Sequence, residues 1–242
     1  LTHAANREEI EQETAKNRLS NVAFSYLDAP KWAIKIGLGT MRLRYLLWLW
    51  VALRRARELE NEIDLCHHVS WNTFEGGSLL WRLRKPFFLG PVGGGQTAPT
   101  AFRGYFDNSW KAEWLRNQRI RFSARINPFV RSALTRAKLV LVANSDTLEI
   151  VRGAACSDAR LMWEACIPES YTSSDVSRTG TAECLGLLWV GGLIPRKALR
   201  LALEALASSN TPNKLTIVGD GPLARELPGW LKNLGIEDRV DW

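Results

Sequence analysis

The chain has 242 residues, of which 46% are hydrophobic and 24% charged, and a formal net charge of +7. That balance excludes a disordered chain and a small disulfide scaffold, and it leaves room for one or two domains with a sizeable core. The excess of cations points to anionic partners, whether nucleotide phosphates, a membrane surface or nucleic acid.

The opening, LTHAANREEIEQE, has no initiator methionine and no signal-peptide pattern, and the closing Arg239-Val240-Asp241-Trp242 resembles the start of a strand. Both ends look cut, so a fragment of a longer protein is expected. Asn21 to Leu27 is predicted as a short strand, with Asp28-Ala29-Pro30 as its turn. Residues 41 to 60 (MRLRYLLWLWVALRRARELE) are predicted as a helix. Its apolar run, Tyr45 to Leu53, is well short of the roughly 20 residues needed to span a bilayer. A crossover helix packed on a sheet, with solvated arginine ends, is the expected reading, and an interfacial membrane helix is the alternative.

Ile63 to Val69 is predicted as a strand that delivers His67 and His68 to its carboxyl end. Alternation aims the two imidazoles at opposite faces, so at most one faces a cleft. Either is a candidate catalytic group, able to hydrogen-bond a hydroxyl or stabilise developing charge. No metal site is expected, because adjacent histidines on a strand diverge and no third ligand is apparent. The four cysteines (Cys66, Cys156, Cys166 and Cys184) form no CxxC pair and read as free thiols of a reducing compartment.

A helix is predicted from about Phe74 to Arg84, and Pro86 to Gly90 reads as a buried strand that runs into Pro91-Val92-Gly93-Gly94-Gly95-Gln96. Three glycines after a strand leave backbone N–H groups uncovered and suit a loop that touches a ligand. The loop is neither a Walker A loop nor a GxGxxG fingerprint, and a plain flexible turn is the alternative. Lys111 to Lys138 is predicted as mostly helical, broken near Asn127-Pro128, with eight cations against the single acid Glu113 and with aromatic residues interleaved. The charges fall all round the helix, so a solvated surface is expected rather than a nucleic-acid or membrane patch. Leu139 to Ala143 is predicted as a buried strand, followed by a helix from Thr147 to Ala154 capped by Ser145 or Asp146. Arg160 to Trp163 is a further short strand, and the polar, aperiodic stretch from Pro168 to Ala182 is the best linker. The expected division is residues 1–168 as an N-terminal domain, 169–183 as the linker and 184–242 as the start of a C-terminal domain.

Leu185 to Pro222 then reads as strand, loop, helix, strand and loop. Leu185 to Val190 ends in Gly191-Gly192, and Leu215 to Val218 ends in Gly219-Asp220-Gly221-Pro222. Both loops fall at the carboxyl ends of strands, where open parallel sheets hold ligands. Arg196 and Lys197 stand beside a predicted helix N-terminus, a pairing suited to phosphate.

This segment, LLWVGGLIPRKALRLALEAL…KLTIVGDGPLARELPGWLKNLGIEDRV, resembles the nucleotide-binding half of the family 4 retaining glycosyltransferases. The upstream DLCHHVSWNTFEGGSLLWRLRKPFFLGPVGGGQTAP resembles their N-terminal domain. The resemblance implies the α/β GT-B fold of two Rossmann-like domains around a cleft, both incomplete here, lacking the first strand and the second half of the C-terminal domain. It implies sugar transfer from a UDP- or GDP-type nucleotide sugar, the substrate, to a saccharide or lipid-linked acceptor, with retention and without a metal or other cofactor. Lys197 matches the lysine at the donor diphosphate, with Arg196 nearby. Gly219, Asp220 and Gly221 match the loop beside base and ribose. Either His67 or His68 matches the cleft histidine, and Gly93, Gly94 and Gly95 match a loop at its mouth. Gly192 stands where the family has a diphosphate-binding arginine, and Ala198 replaces a glycine. The glutamates of the family's E-x7-E motif are not in the chain, so residues 1–242 alone are expected to be inactive. The expected location is cytoplasmic, with peripheral contact at the inner face of the membrane as a partner reading and no nucleic acid. The alternatives are a nucleotide-sugar epimerase, a phosphorylase, or a non-enzymatic protein on a degenerate transferase fold that contacts anionic membrane or nucleic acid.

Overall fold

The computed structural model describes residues 1–17, 20–30, 41–69, 71–165, 167 and 184–242. The expected linker, 169–183, lies outside the described residues. The chain is α/β with parallel sheets, as expected, and its contacts divide it into two units. One comprises Leu1–Gln96 with Arg119–Cys166, and the other Thr97–Gln118 with Ile167–Trp242.

In the first unit, β1 (Thr2–His3) precedes α1 (Arg7–Lys16) and pairs in parallel with β2 (Tyr26–Leu27). The helix α2 spans Met41–Glu58 and buries Tyr45, Trp48, Leu49, Ala52, Leu53 and Ala56, the 3.6-residue repeat expected of a helix packed on one side. A four-stranded parallel sheet follows, in sequential order: β3 (Cys66–His68), β4 (Phe87–Val92), β5 (Leu139–Val142) and β6 (Ala159–Leu161). The helix α3 (Trp110–Ile126) starts in the second unit and ends in the first, and Asn127 caps α4 (Pro128–Arg136) by accepting from the Phe129 N–H. The helix α5 (Ser145–Gly153) leads into β6. Phe74, Leu89, Val92, Val130, Leu134, Val140 and Val142 form the centre of the core.

Three local expectations differ here. The strand expected over Asn21–Leu27 is confined to Tyr26–Leu27. The helix expected over residues 74–84 is instead two short 3-10 turns, Phe74–Gly76 and Leu80–Arg82. Gly77 adopts φ +58 between them, a left-handed conformation that a helix does not continue through. The cap of α5 is Asn144, whose Oδ1 accepts from the Thr147 N–H at 3.0 Å, and not Ser145 or Asp146, which lie inside the helix.

The second unit has a three-stranded parallel sheet of β7 (Leu185–Val190), β8 (Asn213–Val218) and β9 (Val240–Asp241). Between β7 and β8 lies α6 (Leu199–Ser208), and between β8 and β9 lies α7 (Leu227–Leu234). Leu193, Leu199, Leu203, Leu215, Ile217, Leu227 and Ile236 pack together on one side of this sheet. Strand β8 alternates buried and exposed, whereas β7 leaves Leu185, Leu188 and Val190 more than half exposed. An uninterrupted apolar run suits a strand covered on both faces, and only one face of β7 is covered by the described residues. Thr97–Gln118, expected in the N-terminal domain, groups with this unit through polar contacts to α6 and to the turn before it. The Tyr105 hydroxyl donates to Glu204 at 2.5 Å, and Arg200 lies 3.8 Å from Asp107.

Candidate functional site

Parallel pairing in full register, from Leu185 opposite Asn213 to Val190 opposite Val218, brings the two glycine loops of the second unit to the same sheet edge. Backbone hydrogen bonds lace them together. The Gly191 N–H donates to the Val218 carbonyl, the Leu193 N–H to the Asp220 carbonyl, and the Leu223 N–H to the Leu193 carbonyl. A Cβ on Gly219 would stand 1.9 Å from the Gly191 carbonyl oxygen, and φ there is +156. Glycine at 219 therefore serves the close approach of the two loops. The Asp220 carboxylate accepts from the Gly221 N–H at 2.6 Å while staying exposed. At Gly192 a Cβ would meet nothing closer than the Asp220 carbonyl oxygen, 3.9 Å away. That position is open to a larger side chain.

Pro195, Arg196 and Lys197 form a 3-10 turn, and Ala198 follows at φ 54, ψ 36. The helix α6 then starts at Leu199 with no side-chain cap. Its first N–H groups and the positive end of its dipole make that end suitable for an anion. Lys197 is exposed next to it. Arg196, expected beside Lys197 at a diphosphate, donates instead from Nη2 to Glu113 Oε2 at 3.2 Å. Glu113 is 5% exposed and is also gripped by Arg116, whose Nε reaches both carboxylate oxygens at 3.0 Å. Burial alone would raise the Glu113 pKa, but the Arg116 and Arg196 guanidiniums outweigh it and hold the carboxyl below its usual range. The group is ionised at neutral pH. Glu113 carried no signal in the sequence beyond being the only acid of a basic segment.

In the first unit, burial alternates along β3 and the two histidines separate as expected. His67 is exposed and donates from Nε2 to the Gly90 carbonyl at 2.7 Å. His68 is 4% exposed, and its Nε2 lies 3.1 Å from the Tyr45 hydroxyl. Burial, and secondarily the neighbouring His67, push the His68 pKa down to about 4, so the ring is neutral at pH 7. Both line a cavity of about 720 Å³ against α2. Two of the three N–H groups of the Gly93–Gly95 loop are engaged, so it is not a free turn. The Gly93 N–H donates to the Asn72 carbonyl, and the Gly95 N–H donates to Thr147 Oγ1 at 3.0 Å. Thr147 Oγ1 in turn donates to Asn144 Oδ1 at 2.8 Å. The loop expected to present bare N–H groups is thus tied to the carboxyl ends of β3 and β5. Among the described residues no group of three or more His, Cys, Asp or Glu side chains is placed to hold a metal. None of the described helices is long and apolar enough to cross a membrane.

No protein-family model matches the chain, and no curated protein matches it. Two similar solved structures are the lipopolysaccharide outer core galactosyltransferase WaaB in its apo form and HepE of Anabaena in complex with UDP. Each is 16% identical to this chain with a TM-score of 0.48. The matches cover 83% and 80% of this chain and 48% and 50% of those proteins, so the chain spans about half the length of the structures it resembles.

Proposed function

We propose that the chain is part of a family 4 retaining glycosyltransferase of GT-B architecture, which moves a sugar from a UDP- or GDP-type donor to a saccharide or lipid-linked acceptor without a metal. The observation that carries this reading is the arrangement in the second unit. Two interlocked glycine loops and an exposed lysine at an uncapped helix N-terminus share the carboxyl edge of one parallel sheet. A flat base and ribose suit the Gly219–Gly221 loop, with the Asp220 carboxylate accepting from hydroxyls. A diphosphate suits Lys197 and the first turn of α6.

As the glycosidic bond breaks, charge grows on the diphosphate leaving group. Lys197 and the α6 N-terminus neutralise it without having to reorganise, which is electrostatic catalysis of the leaving group. Acceptor chemistry belongs to the first unit. There His67 is the exposed imidazole, while His68 is buried, neutral and hydrogen-bonded to Tyr45. His67 is therefore assigned to the sugar or acceptor hydroxyl.

A thermal-shift screen of UDP-, GDP- and ADP-sugars tests the donor assignment, since a ligand that binds only the folded state raises its melting temperature. At least one class is expected to stabilise the wild type, and Lys197→Ala is expected to lose that shift while melting normally without ligand. A Lys197→Ala protein that melts early and loses its ligand response in proportion would make Lys197 a structural residue and sink the reading.

A further inference from the structure

The two arginines on Glu113 grip it unequally. Arg116 donates from Nε to both carboxylate oxygens at 3.0 Å and from Nη2 to Oε1 at 2.5 Å. Arg196 adds one bond, from Nη2 to Oε2 at 3.2 Å. The Arg116 side chain is 19% exposed and that of Arg196 54%. If Arg196 left, Glu113 would keep its better-buried partner, and no unpaired charge would be stranded. Exposure also makes the Arg196 bond the weaker one, since solvent screens it. There is room for the guanidinium to move. A cavity of about 280 Å³ adjoins the pair, lined by Phe106, Ser109, Glu113, Arg116, Pro195 and Arg196. All of these residues belong to the second unit. Arg196 is next to Lys197 on the Pro195–Lys197 turn, just before the uncapped start of α6.

We propose that Arg196 is an exchangeable cation: Glu113 holds it back from the donor site, and a nucleoside diphosphate draws it off to lie beside Lys197. This rests on the donor reading of the second unit given above. Successive residues of a 3-10 turn project about 120° apart, so the guanidinium reaches Glu113 in one rotamer and an anion at Lys197 in another. Glu113 is then a brake on donor affinity, because the Arg196–Glu113 bond breaks each time a diphosphate binds. The diphosphate wins the exchange, since its competitor is a single carboxylate already neutralised by Arg116. A cation recruited in this way stands in for the one missing at Gly192. Protonation is not what releases it. Burial works against the Glu113 charge, but the two guanidiniums outweigh burial and hold the carboxyl below its usual range.

Isothermal titration of UDP into the 242-residue protein and three variants tests the exchange. Glu113→Gln should raise UDP affinity roughly threefold, which is what releasing a half-exposed ion pair supplies. Arg196→Gln should lower it about fivefold, because the contact to the diphosphate is lost. In the double variant the Glu113→Gln gain should vanish, which separates release of Arg196 from a general rise in positive charge. A second readout leaves the buried Glu113 intact. The arginine side-chain NMR signal of Arg196, assigned by its loss in Arg196→Gln, should move when UDP is added to the wild type. The proposal is overturned if Glu113→Gln leaves UDP affinity unchanged or lowers it, if its gain persists without Arg196, or if UDP leaves the Arg196 signal in place. Any of these results in a wild type that binds UDP removes the exchange alone. Absence of UDP binding in the wild type and every variant removes the donor reading and the exchange together.

Discussion

Ala198 connects the Pro195–Lys197 turn to α6 in a left-handed conformation, φ 54 and ψ 36. An L-residue with a Cβ pays roughly 1–2 kcal/mol there, because the Cβ crowds the following carbonyl. Ala198→Gly removes that strain, while the unfolded chain gains freedom worth about 0.4–1 kcal/mol against folding. The position lies before the first helical residue, so no interior helix-propensity cost applies. The lost methyl is half-buried and removes at most about 0.5 kcal/mol of packing. The net is a gain centred near 0.5 kcal/mol for Ala198→Gly. Ala198→Val goes the other way by more than about 1 kcal/mol, since a β-branched residue at positive φ is a true outlier. Urea denaturation followed by far-ultraviolet circular dichroism should therefore rank Gly above Ala above Val, with unchanged m-values. If glycine were the least stable of the three, Ala198 would not occupy a left-handed well, and the turn that sets Lys197 at the helix end would have to be redrawn.

Other consequences follow from buried charge. Glu113→Ala leaves the Arg116 and Arg196 guanidiniums side by side without their anion, and a loss of about 2 kcal/mol is expected from paired chemical-denaturation curves, smaller than for a fully buried pair because Arg196 is 54% exposed. Glu113→Gln keeps the shape and should recover part of it. His68 is neutral in the fold with a pKa near 4, against an ordinary value of 6.5. Between those pH values the unfolded chain binds the extra proton, so stability falls as pH drops from about 6.5 towards 4, by up to roughly 3 kcal/mol. His68→Asn should flatten the pH dependence of the urea midpoint across that window, and an unchanged slope would show that His68 is solvated.

How much of this was legible in the sequence depended on whether the signal was local. Strand β7 and the end of β8 stood out because largely apolar runs stop at glycines, and the boundary before α4 because Asn127-Pro128 breaks the helical stretch. The helix expected at 74–84 failed on Gly76-Gly77, whose positive φ at Gly77 outweighed a plausible apolar spacing. The cap of α5 was misplaced within Asn144-Ser145-Asp146, three consecutive good cappers, because only the end of β5 decides which comes first. The Arg196–Glu113 pair had no local signature at all, since its partners are 83 residues apart.

Two of the three cations expected at a diphosphate are missing or engaged. Position 192 is glycine, and Arg196 is spent on a buried carboxylate, which leaves Lys197 and the α6 N-terminus. The open space at Gly192 turns this into a gain-of-binding experiment. Its Cβ would meet only the Asp220 carbonyl oxygen at 3.9 Å, and its φ lies outside the left-handed region, so Gly192→Arg fits without strain. A charge-assisted contact is worth roughly 1.5–3 kcal/mol when well placed, and an exposed loop realises the lower end, so UDP affinity should rise about tenfold. Isothermal titration of UDP into wild type and Gly192→Arg measures it, and the gain should shrink with added salt. Removing Lys197 in the Gly192→Arg background should cancel much of the gain if both cations grip one diphosphate, because contacts to a shared ligand are not additive. Equal UDP affinities in two well-folded proteins would mean that no phosphate passes near the β7 loop, and the donor site would have to lie elsewhere in the chain.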